Sequence, residues 1–186
     1  MKEILQGKHI LLRGLELSDV DELIKYWNNP ELQQFLSRTR IASRDEEIDW
    51  IRNTWERRRK GEAYIFGLFL HEQDQYIGNI EIRIIDNIAQ RGVLGVAIFN
   101  PSCWNKGYGT EAIELLLNFA FSSLNLHTIE LEVFSFNKRA LACYRKAGFV
   151  EIGRKREAYF KSGQYHDIIL MDISATEFAN LKNLRE

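Results

Sequence analysis

The sequence predicts a mixed α/β domain, with a central mixed sheet of about seven strands, antiparallel in its first half, flanked by about four helices. Three observations carry this. Residues 63–99 hold three short runs rich in β-branched and aromatic residues, separated by polar turns, which is the pattern of an antiparallel meander. Residues 91–134 then read strand, helix, strand, which makes the two strands parallel neighbours joined by a crossover. Two further strand-like runs flank a turn at Lys161–Gly163 and close the sheet with a hairpin.

Taken in order, KHILLR at 8–13 reads as a short first strand. Ser18 then caps a helix whose Val20, Leu23, Ile24 and Trp27 follow helical spacing, and Asn28-Asn29-Pro30 ends it. Ser43 with Glu46 forms a capping box for a second helix that runs to about Lys60 and stops at Gly61. The meander strands follow at 63–70, 75–85 and 91–99. A helix from about Gly107 to Ser123 leads to a strand at 127–134, and a helix from Asn137 to Ala147, closed by Gly148, leads into the final hairpin.

At 186 residues the chain fits one domain, 1–186, with no repeat or linker. A net charge of −1 gives no global attraction to nucleic acid or anionic membrane, and the basic run Arg57-Arg58-Arg59-Lys60 reads as a solvated helix end. Two cysteines, Cys103 and Cys143, suit a reducing compartment. No apolar run approaches the ~20 residues a membrane span needs, and MKEILQGKHILLRG lacks the apolar core of a signal peptide. The expected location is cytoplasmic. His9, His71, His127 and His166 are scattered without ligand spacing, so no metal is expected.

WNKGYGTEA, residues 104–112, lies at the carboxyl end of the 91–99 strand, where ligands of open α/β sheets bind. A helix start leaves its first N–H groups without partners and carries the positive end of the helix dipole. Asn105, Lys106, Gly107, Tyr108, Gly109 and Thr110 offer an arc of such groups, with room at the glycines for a diphosphate. Taken alone, the same turn is equally an ordinary glycine turn. The chain has no GxxxxGK[ST] and no GxGxxG in a dinucleotide-binding unit, so another phosphate-bearing ligand is implied. Downstream stands NKRALACYRKAGF, 137–149, in which Asn137 and Tyr144 share one side of a helix. They read either as a cap and a packed aromatic or as a second half of the same site.

The two motifs, in this order and spacing, resemble the GNAT superfamily of N-acetyltransferases. GKHILLR, WNNPE at 27–31 and GRKREAYFKSGQYHDIILMDI resemble its subgroup of ribosomal-protein N-terminal and polyamine acetyltransferases. The resemblance implies acetyl-CoA as cosubstrate, with its pyrophosphate on the 105–110 backbone. It implies that the strands at 91–99 and 127–134 splay and hold the pantetheine arm, which pairs with residues among Ala97, Ile98 and Phe99. Asn137 would bond the arm and Tyr144 would sit near the sulfur. Trp104 and Asn105 depart from the superfamily's commoner arginine or glutamine and glycine, but the contacts there are largely to backbone.

The implied reaction is direct attack of a primary amine on the thioester. An alkylammonium of pKa ~10 must lose a proton, whereas an α-amino group near ~8 needs less help. A strand N–H near Ala97 or Ile98 would serve the oxyanion, and Tyr144 would protonate the departing thiolate. Glu132, twelve residues before Tyr144, matches the spacing of glutamate and tyrosine in ribosomal-protein alanine acetyltransferases and is the candidate base; Glu81 or a water chain are rivals. Glu111 reads as a helix-dipole residue. Cys143 points about 100° away from Tyr144 on the helix and reads as core.

The expected acceptor is a protein N-terminal amine of the ribosomal-protein type. A polyamine is the alternative, for which Glu16, Asp19, Asp21, Glu22, Asp45, Glu46, Glu47 and Asp49 of the first two helical regions could supply carboxylates. A non-catalytic CoA-binding sensor is the reading from a different class. Sheet edges and the late hairpin could support a homodimer.

Overall fold

The computed structural model of the protein describes residues 4–28, 35 and 41–184. Asn29 and Pro30, the expected helix stop, and most of WNNPE lie outside the described residues. The strands are β1 (Ile4–Gln6), β2 (Ile10–Arg13), β3 (Ala63–Leu70), β4 (Gln75–Asp86), β5 (Arg91–Ile98), β6 (Thr128–Phe134), β7 (Val150–Lys161) and β8 (Gln164–Ser174). The helices are α1 (Val20–Trp27), α2 (Arg44–Arg59), α3 (Tyr108–Ser122), α4 (Lys138–Lys146) and α5 (Ala175–Asn183). One sheet takes the order β1-β2-β3-β4-β5-β6-β8-β7. It is mixed: β5 and β6 are parallel, and every other neighbouring pair is antiparallel.

Among the described residues the sheet has eight strands rather than about seven, and five helices flank it where about four are expected. The extra strand, β1, is only three residues long and pairs with β2 through Ile4↔Arg13 to Gln6↔Leu11. The extra helix, α5, starts at a reciprocal cap: Ser174 Oγ accepts from Glu177 N, and Glu177 accepts from Ser174 N at 2.8 Å. The start of α1 also differs. Ser18 lies inside a 3₁₀ turn, Leu17–Asp19, and it is Asp19 that accepts from Glu16 N at 2.8 Å while Arg13 grips it from β2 at 2.8 and 2.9 Å. A bidentate arginine on a carboxylate sets geometry that a serine hydroxyl cannot. The α2 cap is as expected, with Ser43 N donating to Glu46 at 2.7 Å.

Alternate side chains of the sheet feed two apolar clusters. Ile10, Leu12, Phe66, Leu68, Ile80 and Ile82 join Ile113, Leu116, Leu117 and Ala120 of α3 in one cluster. Ala63, Ile65, Phe69 and Tyr76 join Val20, Leu23 and Tyr26 of α1 and Ile51 of α2 in the other. Each fully buried aliphatic side chain contributes roughly 1.5–3 kcal/mol relative to exposure, so both helical layers are locked to the sheet.

The position of the site follows from one register. β5 and β6 pair only through Arg91↔Thr128, Gly92↔Ile129 and Val93↔Glu130. Beyond them β5 stays with β4 as far as Gly78↔Ile98, and β6 stays with β8 as far as Phe134↔Ile168. The two strands therefore part from Leu94 and Leu131 onward, opening a cleft at the carboxyl ends of a parallel pair.

Candidate active site

A cleft of about 720 Å³ occupies this opening, within the size range of small-molecule and cofactor sites. Its walls include Ala97 and Ile98 of β5, the whole turn Asn105–Thr110, Glu132 and Phe134 of β6, and Asn137 and Tyr144 at α4. One member of the expected set is missing. Phe99 does not line the cleft: its N–H donates to Ile77 O at 2.7 Å and its ring packs against Trp27 in the α1–α2 cluster. β5 ends at Ile98, and the chain turns Phe99 away.

The glycine turn has the conformation an anion cradle requires. Asn105 and Gly107 have positive φ, 60° and 85°, and Gly107 is the residue before the first turn of α3. Successive N–H groups in such a turn point to one side and form a concave donor surface. Among the described residues, none of the six N–H groups from Asn105 to Thr110 has a hydrogen-bond acceptor. Gly109 sits at a close approach, where a Cβ would meet Cys143 Sγ at 3.2 Å and the thiol would have to give by a few tenths of an ångström. These donors, the charge of Lys106 and the cleft beyond them fit a diphosphate carrying a long arm.

Asn137 caps α4, its side-chain oxygen accepting from Ala140 N at 3.2 Å. Tyr144 is 6% exposed and packs edge-on against Phe149, and burial pushes its phenol well above the usual tyrosine range. It therefore carries its proton throughout the neutral range and is suited to donate one rather than to accept one. Glu132 is half-exposed and ion-paired to Lys155 of β7. Glu81, its rival, is outside the cleft lining and pairs with Arg83 at 3.1 Å.

Three features of the site escaped the sequence. Cys143 is not core but a partly buried wall residue, 3.4 Å from Thr110 Oγ1, with a thiol whose pKa is raised by burial. Arg139, in the first turn of α4, lies 3.7 Å from the Trp104 ring centre and 5.0 Å from that of Phe35. Trp104 in turn donates its indole N–H to Ile98 O at 2.8 Å. An aromatic wall forms where Tyr159 stacks on Phe134 at 4.1 Å and Phe134 on Phe136 at 5.3 Å. The contacts of Cys143 with Thr110, of Arg139 with Trp104 and of Tyr159 with Phe134 join segments far apart in sequence, so no local pattern marks them.

Comparison with known proteins agrees with this geometry. Residues 9–150 match the acetyltransferase (GNAT) domain family, and the chain belongs to that family. An uncharacterized N-acetyltransferase, p20, from Bacillus licheniformis is 28% identical over 177 residues, covering 95% of this chain and 99% of the relative. The solved spermidine N-acetyltransferase of Vibrio cholerae, in complex with CoA and spermine, superposes with a TM-score of 0.82 at 27% identity, over 94% of this chain and 100% of that one. RimL, a ribosomal L7/L12 α-N-protein acetyltransferase solved with CoA, gives 0.84 at 20% identity, over 92% and 98%, which shows a shared fold. The protein is thus an acetyl-transferring enzyme, an N-acetyltransferase with acetyl-CoA as cosubstrate. Among the described residues no cluster could hold a metal, and no helix is long and apolar enough to cross a membrane.

Proposed function

We propose that the enzyme acetylates the α-amino group at the N-terminus of a polypeptide. The observation that carries this is the charge of the cleft wall. Among the described residues Glu132 is its one carboxylate, beside the cations Lys106, Arg139 and Lys146 and the aromatic wall. A polyamine carries several ammonium groups and needs several acids. Of the eight early acids, Asp19 pairs with Arg13 at 2.8 Å, Asp21 with Arg44 at 2.9 Å and Asp49 with Arg52 at 3.3 Å, Glu46 closes its cap, Glu47 is buried, and none of the eight lines the cleft. A single amine on a neutral or acidic body suits these walls better.

In this reading acetyl-CoA supplies an acyl thioester. The N–H groups of residues 105–110 hold its diphosphate, and Asn137 with the free edge of β5 at Ala97 and Ile98 aligns the arm. Glu132 takes the proton of the incoming amine, directly or through water, and Tyr144 gives its proton to the leaving sulfur. An α-amino acceptor with a pKa near ~8 asks little of a base already shared with Lys155. The absence of an apolar span among the described residues and two unpaired cysteines support a cytoplasmic setting.

The second reading, polyamine acetylation, is favoured by the similarity to the Vibrio cholerae spermidine acetyltransferase. Turnover of acetyl-CoA with a panel of N-terminal peptides against spermidine and spermine decides between them. A peptide kcat/KM at least tenfold above that of any polyamine is the expected result, and the opposite ranking overturns the proposal.

A further inference from the structure

We infer that Glu111 is a positioning residue for the diphosphate cradle, acting through the β1–β2 turn. Its carboxylate collects three donors from that turn and the first residue of β2: His9 N at 2.7 Å, His9 Nδ1 at 3.0 Å and Ile10 N at 3.1 Å. Because an ionised carboxylate only accepts, the His9 ring must carry its hydrogen on Nδ1. The same ring lies 6.1 Å from the Tyr108 ring, so one residue of the β1–β2 turn holds two residues of the first turn of α3. Glu111 N also donates to Gly107 O at 3.1 Å, closing the turn whose earlier N–H groups form the cradle.

Electrostatics explains why this matters. A carboxylate in the first turn of a helix ordinarily sits at the positive end of the dipole. Here that end is the anion site, and a glutamate folded over it would compete with the diphosphate. Glu111 is instead drawn out of the cleft, since neither it nor His9 nor Ile10 lines the cavity, and three N–H groups absorb its charge. The donors lower its pKa despite partial burial, which keeps it ionised and tied down at neutral pH.

A second, independent mark of the arrangement is Gly7. Its φ is not in the left-handed region, so its backbone does not call for glycine, yet a Cβ there would come within 2.3 Å of Glu111 Oε1. The missing side chain at residue 7 is the space that the carboxylate occupies. This inference rests on the acetyl-CoA chemistry of the family and not on the choice of acceptor.

The test measures coenzyme A affinity by titration calorimetry, with KM for acetyl-CoA and kcat for any accepted amine, in Glu111→Ala, Glu111→Gln and Gly7→Ala. A tilted cradle should weaken coenzyme A binding and raise KM by about tenfold or more, with kcat at saturating donor within about twofold of wild type. Glu111→Gln, which keeps an acceptor oxygen but not the charge, should fall between Ala and wild type. Gly7→Ala, which leaves Glu111 in place but evicts its carboxylate, should reproduce the Ala phenotype and remains decisive if Glu111→Ala does not fold. Coenzyme A affinity within twofold of wild type in the folded variants, or a loss expressed in kcat rather than KM, overturns the inference. Because coenzyme A binding needs no acceptor, a failure of the proposed acceptor class leaves this result readable.

Discussion

The guanidinium of Arg139 lies 3.7 Å above the ring of Trp104, joining the first turn of α4 to the residue that leads into the glycine turn before α3. Two forces oppose a cation there: burial lowers its basicity, and a helix N-terminus repels positive charge. No carboxylate pairs with it among the described residues, so the aromatic face is what holds it. Such contacts are worth about 0.5–2 kcal/mol. Arg139→Ala is expected to lower unfolding free energy in urea by about 1 kcal/mol, and Arg139→Lys by less. Quenching of tryptophan fluorescence by coenzyme A should shrink in both, since Trp104 would lose its fixed partner across the cleft.

The pKa of Glu111 gives a pH prediction for stability with a definite sign. Its folded value is depressed below the ordinary glutamate value of 4.5 by the donors of His9 and Ile10, which outweigh the opposing burial. A depressed acid contributes stability above its unfolded pKa, and the contribution is lost as pH falls through the folded value. The stability difference between wild type and Glu111→Gln should therefore be full at pH 7, hold down to about pH 4.5, and vanish in more acidic solution. Urea titrations across pH 7 to 3 would show it; a difference independent of pH would contradict the ionised clamp.

These two contacts also mark where the sequence stops being informative. The meander was legible because each strand is bounded by polar turns, and β3 spans residues 63–70 as read. The parallel pair and the glycine turn before α3 were legible because a crossover and a helix start are local patterns. Helix α5 carries only a weak signal, the Ser174 to Glu177 capping box, because few apolar residues follow it. Strand β1 left none: three residues acquire their meaning only by pairing with β2. The strand-like run in the sequence continues through Phe99, and only its bond to Ile77 shows that the chain turns away there. Asp19 and Asp21 look available in the sequence because their arginine partners come from other segments, Arg13 of β2 and Arg44 of α2.

The ion pair between Glu132 and Lys155 allows the candidate base to be tested from two sides. Glu132→Gln removes any proton acceptor at this point and should reduce kcat/KM by about 10²-fold, the lower end of what a positioned base contributes. Lys155→Met leaves the carboxylate in place without its ammonium partner, so activity should survive that change while it falls in Glu132→Gln. Near-normal activity in Glu132→Gln would transfer the role to a water chain.

Tyr144 offers the sharpest separation of binding from chemistry. It lies on the cleft wall with its phenol buried, and burial raises its pKa far enough that it stays protonated across any practical assay range. Tyr144→Phe deletes one hydroxyl while keeping the ring that packs on Phe149, so the fold and the walls of the cleft should survive. If the hydroxyl protonates the leaving sulfur, kcat should fall about 10²–10⁴-fold while the Kd for coenzyme A changes by less than about twofold. The pH profile of wild type should then show no basic limb that the Phe variant abolishes, because a phenol held protonated does not titrate in that window. A Phe variant with wild-type kcat would remove Tyr144 from the chemistry and leave it as packing alone.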